Sequence, residues 1–190
     1  KGEGMSREAI ERAIARGSGA GGSEVIETVL YEGFAPGGAA VLIECLTDNR
    51  NRALGAVKSV FTKQGGTLGG EGSVRWQFRQ AGVIRLGEVD SRQSSVDRER
   101  MELALIEGGA EDIREEDGTL VILTRVEDLQ RVREVATQFG LTITDAGLEW
   151  VPKQLADVPE ADRTTFESFL SALDDTDDVQ EVFTSAVLEE

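Results

Sequence analysis

Residues 31–66 read YEGFAPGGAAVLIECLTDNRNRALGAVKSVFTKQGG, and the rest of the chain is arranged around this stretch. A turn at Pro36, Gly37 and Gly38 precedes the apolar run AAVLIECL, and a polar corner at 47–52 precedes an amphipathic segment. A bounded apolar run is typical of a buried strand, and apolar residues spaced three and four apart are typical of a helix face. The stretch therefore predicts a strand that leads through a basic, hydrogen-bonding corner into a helix.

The composition bounds the class of protein. The chain has 190 residues, enough for one large domain or two small ones, with 39% hydrophobic and 29% charged residues. No apolar run approaches the roughly 20 residues that a transmembrane helix requires, and the first residues lack the apolar core of a signal peptide. Because the sequence starts without Met, we expect it to begin inside a longer protein.

Histidine is absent, and Cys45 is the single cysteine. These absences exclude histidine-based acid–base catalysis and both histidine-ligated and thiolate zinc sites. Cys45 lies in the apolar run, where a buried core thiol is expected rather than a nucleophile. The sequence therefore predicts a protein that is not an enzyme, with no catalytic residues, no cofactor and no metal, in a reducing compartment.

The net charge of −16 is unevenly distributed. Residues 157–190 contain eleven acidic side chains and one arginine, whereas residues 50–85 contain seven basic side chains and one glutamate. Phosphate binding depends on lysine and arginine, so a uniformly acidic protein would be a poor partner for nucleic acid. The polarised distribution instead predicts one basic surface on an acidic body.

An N-terminal helix is predicted after Ser6, a good N-cap, and it ends at the glycine-rich linker GSGAGG at 17–22. Its arginines Arg7, Arg12 and Arg16 fit either a solvated helix face or the remainder of a basic helical domain truncated at its front.

The outer part of the chain is predicted to form one sheet domain. Alternation at 73–79 indicates a strand with Trp76 facing inward, and Asp157 is expected to cap a late helix. The elements of this domain are expected in this order: strands at 25–32 and 39–46 paired as a hairpin, a helix at 51–64, the strand at 73–79, the late helix and a strand at 179–185.

The residues between these parts predict a β-α-β-β-α-β unit, the ferredoxin-like arrangement. A hairpin is expected around Asp117 and Gly118, and Thr124 with Glu127 is expected to form a capping box for a helix that buries Phe139. The other predicted elements of this unit are strands at 83–86 and 148–151 and a helix at 96–107.

The predicted fold class is α+β, with a discontinuous outer α+β domain and an inserted ferredoxin-like (βαββαβ) domain. The outer domain comprises residues 23–80 and 152–190, and the inserted domain comprises residues 81–151. Residues 1–22 are expected to be the last helix of a truncated helical N-terminal domain, with its glycine-rich linker.

Two further motifs resemble ligand sites but have simpler interpretations. The acidic run DDTDD at 174–178 is similar to half of a magnesium site, yet it lacks a second converging cluster and fits a solvated turn. The glycine-rich residues 65–72 could cradle phosphate, yet they lack the Gly-Lys-Ser/Thr ending of a P-loop and fit a flexible connection.

The corner at 47–52 is the strongest candidate site. Asn49 and the helix N-terminus offer hydrogen-bond donors to an anion, and Arg50 and Arg52 can fork onto phosphates or stack on bases. The same residues also fit a purely structural role in which Asp48 or Asn49 caps the helix. The predicted nucleic-acid or partner contacts are Asn49, Arg50, Asn51, Arg52, Lys58, Lys63, Arg75, Arg79, Arg7, Arg12 and Arg16.

Three stretches resemble the YebC family of gene-expression regulators. They are MSREAIERAIARGSG from residue 5, VLYEGFAPGGAAVLIECLTDNRNRALGAVKSVFTKQGGTLGGEGSVRWQF from residue 29, and SFLSALDDTDDVQEVFTSA from residue 168. The resemblance implies three domains: a basic helical N-terminal domain, and an α+β domain with a ferredoxin-like insertion. The chain departs from the family pattern at the turn Phe34-Ala35-Pro36, where Tyr-Gly-Pro is usual, and in entering at the last helix of the first domain.

By resemblance, the function is non-enzymatic control of gene expression. Family members are described both as DNA-binding transcriptional regulators and as ribosome-associated translation factors or translational activators. We favour the ribosome, because the sequence has no recognisable helix-turn-helix and an acidic body with one basic edge suits a large RNA–protein assembly. The expected partners are RNA and the ribosome, or DNA, and no membrane. The expected state is a monomer, in the bacterial cytoplasm or the mitochondrial matrix. The alternatives of other classes are a carboxylate-based, metal-dependent enzyme and a protein-interaction module.

Overall fold

The computed structural model describes residues 26–87, 95–116 and 118–187. The predicted helix at 1–22, with Arg7, Arg12 and Arg16, lies outside the described residues. The described residues form a mixed α/β fold with antiparallel sheets. The helices are α1 (Arg50–Gln64), α2 (Ser95–Gly108), α3 (Leu129–Gln138) and α4 (Glu160–Asp174). The strands are β1 (Glu27–Phe34), β2 (Ala40–Thr47), β3 (Thr67–Leu68), β4 (Phe78–Leu86), β5 (Ala110–Glu116), β6 (Thr119–Thr124), β7 (Ile143–Pro152), β8 (Ala156–Asp157), β9 (Val179–Thr184) and β10 (Ala186–Val187).

The first sheet has the strand order β3-β1-β2-β9. Strands β1 and β2 pair antiparallel from Phe34 opposite Ala40 to Glu27 opposite Thr47, which confirms the predicted hairpin. Strand β9 pairs antiparallel with the other edge of β2. Residues from both ends of the described chain therefore share one sheet, and strand β2 lies between two partners.

The turn that precedes β2 is fixed by two backbone hydrogen bonds and by its packing. The Ala35 amide donates to the Ala39 carbonyl at 2.8 Å, and the Gly38 amide donates to the Ala35 carbonyl at 3.0 Å. Gly37 has a φ of +83°, and a Cβ atom there would lie 2.9 Å from Cγ1 of Val158. Only glycine combines this left-handed backbone with such a close approach to the segment that leads into α4.

Helices α1 and α4 cover one face of the first sheet. Phe61 on α1 and Phe169 on α4 meet edge to face, with ring centroids 4.9 Å apart. Such an aromatic pair contributes roughly 0.5–1.5 kcal/mol beyond the burial of its area. The buried side chains of this core are Ala35, Ala39, Val41, Ile43, Cys45, Ala53, Val57, Phe61, Val158, Phe166, Phe169 and Leu173.

The second sheet has the strand order β5-β6-β4-β7, and the chain passes through it in the order β4-α2-β5-β6-α3-β7. Helices α2 and α3 pack over it. The buried side chains of its core are Ile84, Leu86, Met101, Leu105, Ala110, Leu120, Ile122, Val132 and Ala136.

A smaller apolar cluster joins the two sheets. Ala40 and Leu42 on β2 pack with Val74 and Phe78, and Trp150 of β7 packs against the same cluster. Residue Phe78 opens β4 directly opposite Pro152 of β7. The long β4–β7 pair therefore starts at the face of the first sheet that the helices do not cover.

The predicted strand at 73–79 is wrong. Residues Arg75–Gln77 form a 3-10 turn, and the strand begins only at Phe78, so that the predicted short strand at 83–86 is the end of β4. Trp76, which the alternation placed inside, is 67% exposed. The physical reason is that Glu32 captures the backbone amides of this segment, as described below.

Three smaller predictions are also wrong. The Thr124 hydroxyl donates to the Arg125 carbonyl at 2.8 Å instead of capping a helix, so no capping box forms. Phe139 follows the last residue of α3 and is 41% exposed. Asp157 belongs to β8, and Pro159 occupies the position before α4.

Two glycines offer a matched test of the packing between β1 and α1. A Cβ atom at Gly33 would lie 2.5 Å from Cε1 of Phe61 and 2.6 Å from the Thr67 carbonyl oxygen, whereas a Cβ atom at Gly55 meets nothing within 4 Å. We expect Gly33→Ala to lower the free energy of unfolding by about 1–3 kcal/mol through overpacking. Gly55→Ala, in the interior of α1, should raise it by roughly 0.5–1 kcal/mol.

Urea unfolding followed by circular dichroism measures both changes. Equal stability of Gly33→Ala and the unmodified chain would contradict the close approach of β1, β3 and Phe61.

Candidate nucleic-acid interface

The corner at the start of α1 is held by local hydrogen bonds. The Asn49 side-chain oxygen accepts from the Arg52 amide at 3.0 Å, which makes Asn49 the N-cap of α1. The Thr47 hydroxyl oxygen accepts from the Asn49 amide at 3.0 Å. Asn49 thus has the capping role that was one of the two interpretations of this corner.

The two arginines of the corner are ion-paired. Arg50 places Nε 2.5 Å and Nη2 2.5 Å from the two carboxylate oxygens of Glu27. Arg52 donates to both oxygens of Asp178, at 3.0 and 2.6 Å, and lies 2.8 Å from Asp48. Hydrogen bonds from Arg52 hold the pKa of Asp178 below its ordinary value. Asp178, which the sequence placed in a solvated turn, is the buried anchor of Arg52.

The remaining predicted contacts on α1 are exposed. Asn51, Lys58 and Lys63 lie on its solvent side. Neither Lys58 nor Lys63 makes an ion pair with another residue in the described part of the chain. Their charges are therefore available to an external anion.

Glu32 is buried and is the main functional residue that the sequence did not reveal. Glu32 is only 3% exposed. Its carboxylate accepts hydrogen bonds from the backbone amides of Gly72, Val74 and Arg75 at 2.7, 2.9 and 2.8 Å. Burial raises the pKa of Glu32, but the three amides and the nearby Arg75 charge outweigh burial, so the pKa lies below its ordinary value of 4.5. The ionised carboxylate therefore fixes the loop that carries Arg75.

An open groove runs beside β1 at this loop. Its volume is about 440 Å³. Two predicted contacts, Arg50 and Arg75, line it together, although they are far apart in sequence. The other lining residues are Thr28, Val29, Leu30, Tyr31, Glu32, Gly69, Gly70 and Glu71.

Arg75 extends from this groove to an aromatic ring. Its guanidinium carbon lies 4.8 Å from the centroid of the Trp150 ring, a cation–π arrangement. Arg79, by contrast, is paired with Glu111 at 2.7 Å. The structure thus brings Arg75 and Arg50 together at the groove and places Arg79 in an ion pair within the second sheet.

Lys153 and Trp76 also belong to this surface, and neither was among the contacts predicted from the sequence. The Lys153 ammonium donates to the Trp76 carbonyl at 2.8 Å. Lys153 lies outside the basic stretch at 50–85, so charge density along the sequence could not find it.

The structure also bears on the metal-site interpretation of the acidic run at 174–178. Among the described residues, no group of three or more acidic or thiol side chains could hold a metal ion. Asp178 is bound to Arg52. Burial, followed by the charges of Asp178 and Glu44, raises the pKa of Cys45 to about 11, so its thiol stays protonated at neutral pH. No helix in the described ranges is long and apolar enough to cross a bilayer.

The described residues form a mixed α/β protein with antiparallel sheets, and its candidate site combines the cations Arg50 and Arg75 with a groove beside β1. The sequence profile of the family described as "TACO1/YebC second and third domain" matches residues 26–186. The chain belongs to the YebC/TACO1 family.

Individual relatives cover nearly the whole chain. A "Probable transcriptional regulatory protein" from Caldanaerobacter subterraneus is 39% identical over 98% of this chain and 75% of its own. One of the same name from Desulfosudis oleivorans is 41% identical over 99% of this chain and 74% of its own. The crystal structure of a conserved hypothetical protein from Aquifex aeolicus is similar with a TM-score of 0.80 and 37% identity, over 98% of this chain and 75% of that one.

The Glu32 carboxylate makes a testable contribution to stability. Glu32→Gln replaces an acceptor of three amides by a group that brings its own N–H donors, and we expect a loss of about 1–3 kcal/mol at neutral pH. Because the folded pKa lies below 4.5, the contribution of the ionised carboxylate is fully present above pH 4.5. It is lost as the pH falls through the folded pKa.

Thermal unfolding of both proteins from neutral to acidic pH measures this difference. The gap in melting temperature between the unmodified chain and Glu32→Gln should narrow in acid. A gap that stays constant with pH would show that the carboxylate charge does not hold the loop.

The two corner arginines should differ in their effect on stability. Arg52→Ala removes both donors from Asp178, whose side chain is only 10% exposed, and should lower the melting temperature at neutral pH. Arg50→Ala breaks an exposed pair, with side chains 65% and 37% exposed, and should change it little. Differential scanning calorimetry measures the melting temperatures of the two variants. Equal decreases would contradict the structural role assigned to Arg52 but not to Arg50.

Proposed function

We propose that this chain regulates gene expression by binding nucleic acid, without catalysing a reaction, and that it acts on the ribosome as a translational activator. Membership of the YebC/TACO1 family supports a regulatory role, because its relatives carry the name of regulatory proteins. The proposed contacts are the sequence-predicted residues that remain available: Asn51, Lys58, Lys63 and Arg75, with Arg50 at the edge of the groove.

The observation that carries this proposal is a contrast between two groups of cations. On the second sheet and its helices, most arginines are matched by carboxylates, among them Arg85 with Glu149, Arg114 with Glu116, and Arg131 with Asp128. Arg100 and Arg133 are the exceptions among the described residues there. Lys58, Lys63 and Arg75 have no such partner among the described residues.

In a chain with a net charge of −16, cations without an internal carboxylate partner are the groups that can attract a polyanion. They are the groups that neutralise phosphates and release counterions on binding. Lys58 and Lys63 on α1 and Arg75 beside β1 would together form the basic surface on an acidic body, as expected for docking on RNA within a large assembly.

The helix arrangement favours RNA over a promoter. Within the ranges that the structure describes, strands separate every pair of consecutive helices, so no helix-turn-helix is formed there. Control of transcription through duplex DNA is the second candidate, and the name "Probable transcriptional regulatory protein" carried by the relatives favours it.

We also propose the domain organisation that the sequence predicted. The outer domain would comprise 23–80 and 152–190, with a ferredoxin-like domain at 81–151 inserted into it, and 1–22 would end a helical domain. The strand order β5-β6-β4-β7 and the β-α-β-β-α-β element order support the ferredoxin-like part. The proposed partners are RNA and the ribosome, the proposed state is a monomer, and the proposed compartment is the bacterial cytoplasm or the mitochondrial matrix.

Co-sedimentation with ribosomes tests the proposed function. The full chain should pellet with ribosomes at low salt and less at moderate salt, because the contacts are ionic. The triple variant Lys58→Ala, Lys63→Ala and Arg75→Ala should pellet less at both salt concentrations. Against single-stranded RNA, it should also reduce the slope of log K with log salt by about 2, since each phosphate contact contributes roughly 0.7.

Arg114→Ala is the matched control, because it removes an arginine that is paired with Glu116 at 2.7 Å. It should behave as the unmodified chain does. Absence of the full chain from the ribosomal pellet, with retention on duplex DNA, would replace the ribosomal proposal by the transcriptional one.

A further inference from the structure

Trp76 is the starting point, because it is 67% exposed, the highest exposure among the large hydrophobic side chains of the described residues. A single exposed apolar residue is common on protein surfaces and carries no meaning by itself. What distinguishes Trp76 is how its turn is held and which charges adjoin it.

The turn that carries Trp76 is held before any partner binds. The indole Nε1–H donates to the Ser73 carbonyl at 3.2 Å. The amides of Val74 and Arg75, the two preceding residues, donate to the buried carboxylate of Glu32. A ring held in this way loses little conformational freedom when a ligand stacks on it.

Two cations adjoin Trp76, and neither has a carboxylate partner within the ranges that the structure describes. The Lys153 ammonium is bound to the Trp76 carbonyl at 2.8 Å. Arg75 precedes Trp76, lines the groove and lies over the Trp150 ring at 4.8 Å. The nearby Arg79 is neutralised by Glu111, so the unpaired charge is concentrated beside the exposed indole.

We propose that Trp76 stacks on an unpaired base of a single-stranded nucleic acid, while Arg75 and Lys153 bind the adjacent phosphates. The chemistry is that of single-strand binding sites, in which an aromatic face receives a base and cations follow the backbone. A base inside a duplex is already stacked on both faces, so the site selects single strands or loops. A protein partner that covered Trp76 by apolar contact would make no use of the two cations.

This inference rests on the proposed function and names the part of the nucleic acid that is bound. Binding is measured by fluorescence anisotropy with the full chain, an oligouridylate of about 12 nucleotides and a blunt RNA duplex of about 12 base pairs. Trp76→Ala should weaken binding to the oligouridylate about tenfold and to the duplex less than about twofold. Trp76→Phe, which keeps an aromatic face, should stay within about threefold of the unmodified chain.

The change in tryptophan fluorescence on adding RNA tests stacking directly, because a purely structural role of Trp76 would produce no such change. The chain has two tryptophans, Trp76 and Trp150. Stacking of uracil on Trp76 should quench the emission on titration, and Trp76→Phe should abolish that quenching while keeping most of the affinity. Leu103→Ala, at a 58% exposed position on α2, is the control and should alter neither measurement.

Each outcome separates the inference from the proposed function. If the unmodified chain binds neither RNA, the proposed function fails. If the unmodified chain binds, the stacking inference is wrong when Trp76→Ala lowers the affinity for both RNAs equally or for neither. It is also wrong when Trp76→Phe binds the oligouridylate as weakly as Trp76→Ala does. Melting temperatures of the variants verify that they are folded, and a folded Trp76→Ala that binds the oligouridylate normally points to a protein partner at this ring.

Discussion

The burial of the first half of β2, residues 40–43, on both faces and both edges is the constraint on which the rest of the structure depends. Val41 and Ile43 point to the core under α1 and α4, whereas Ala40 and Leu42 point to the cluster with Phe78. The edges of β2 are taken by β1 and β9. Residues 40–43 of β2 have no solvent face, which explains why each of them is apolar, whereas the half-buried Glu44 and the exposed Leu46 follow in the second half of the strand. Phe78, the first residue of β4, packs against this part of β2.

The elements next to β2 could be predicted from the sequence because the patterns that specify them span only neighbouring residues. The β1–β2 hairpin, α1 and its glycine stop follow from periodicity and turn residues within a few positions. The segment at 73–79 has a strand-like alternation, yet the carboxylate of Glu32 draws the amides of Val74 and Arg75 out of any ladder. A buried charge must be satisfied, and that requirement overrides the propensity of the segment. Glu32 lies more than 40 positions before Val74 and Arg75, so the sequence near residue 73 gives no indication of this contact.

The candidate site was predicted in composition but not in arrangement, for the same reason. Asn49 caps α1, and Arg52 binds Asp178, a residue 126 positions away that the sequence presented as part of a solvated acidic turn. Local sequence leaves capping and ligand contact equally open at this corner, because both use the same donors. Ion pairs between residues far apart in sequence decide which cations are already neutralised within the fold. Around the first sheet, the cations without a carboxylate partner among the described residues include Lys58, Lys63, Arg75 and Lys153.

The acidity of the body would make the proposed basic surface selective. A polyanion is repelled by most of a chain that carries −16 and is attracted only where cations lack internal partners. Repulsion elsewhere discriminates between binding orientations as effectively as attraction at the site does. The groove beside β1, with Arg50 and Arg75 in its wall, lies next to Trp76 and Lys153, and the ionised Glu32 carboxylate holds the connecting loop in place. One buried acid thus fixes the loop that carries Arg75. If nucleic acid binds as proposed, the acidic remainder of the chain would repel it and so favour one orientation at this surface.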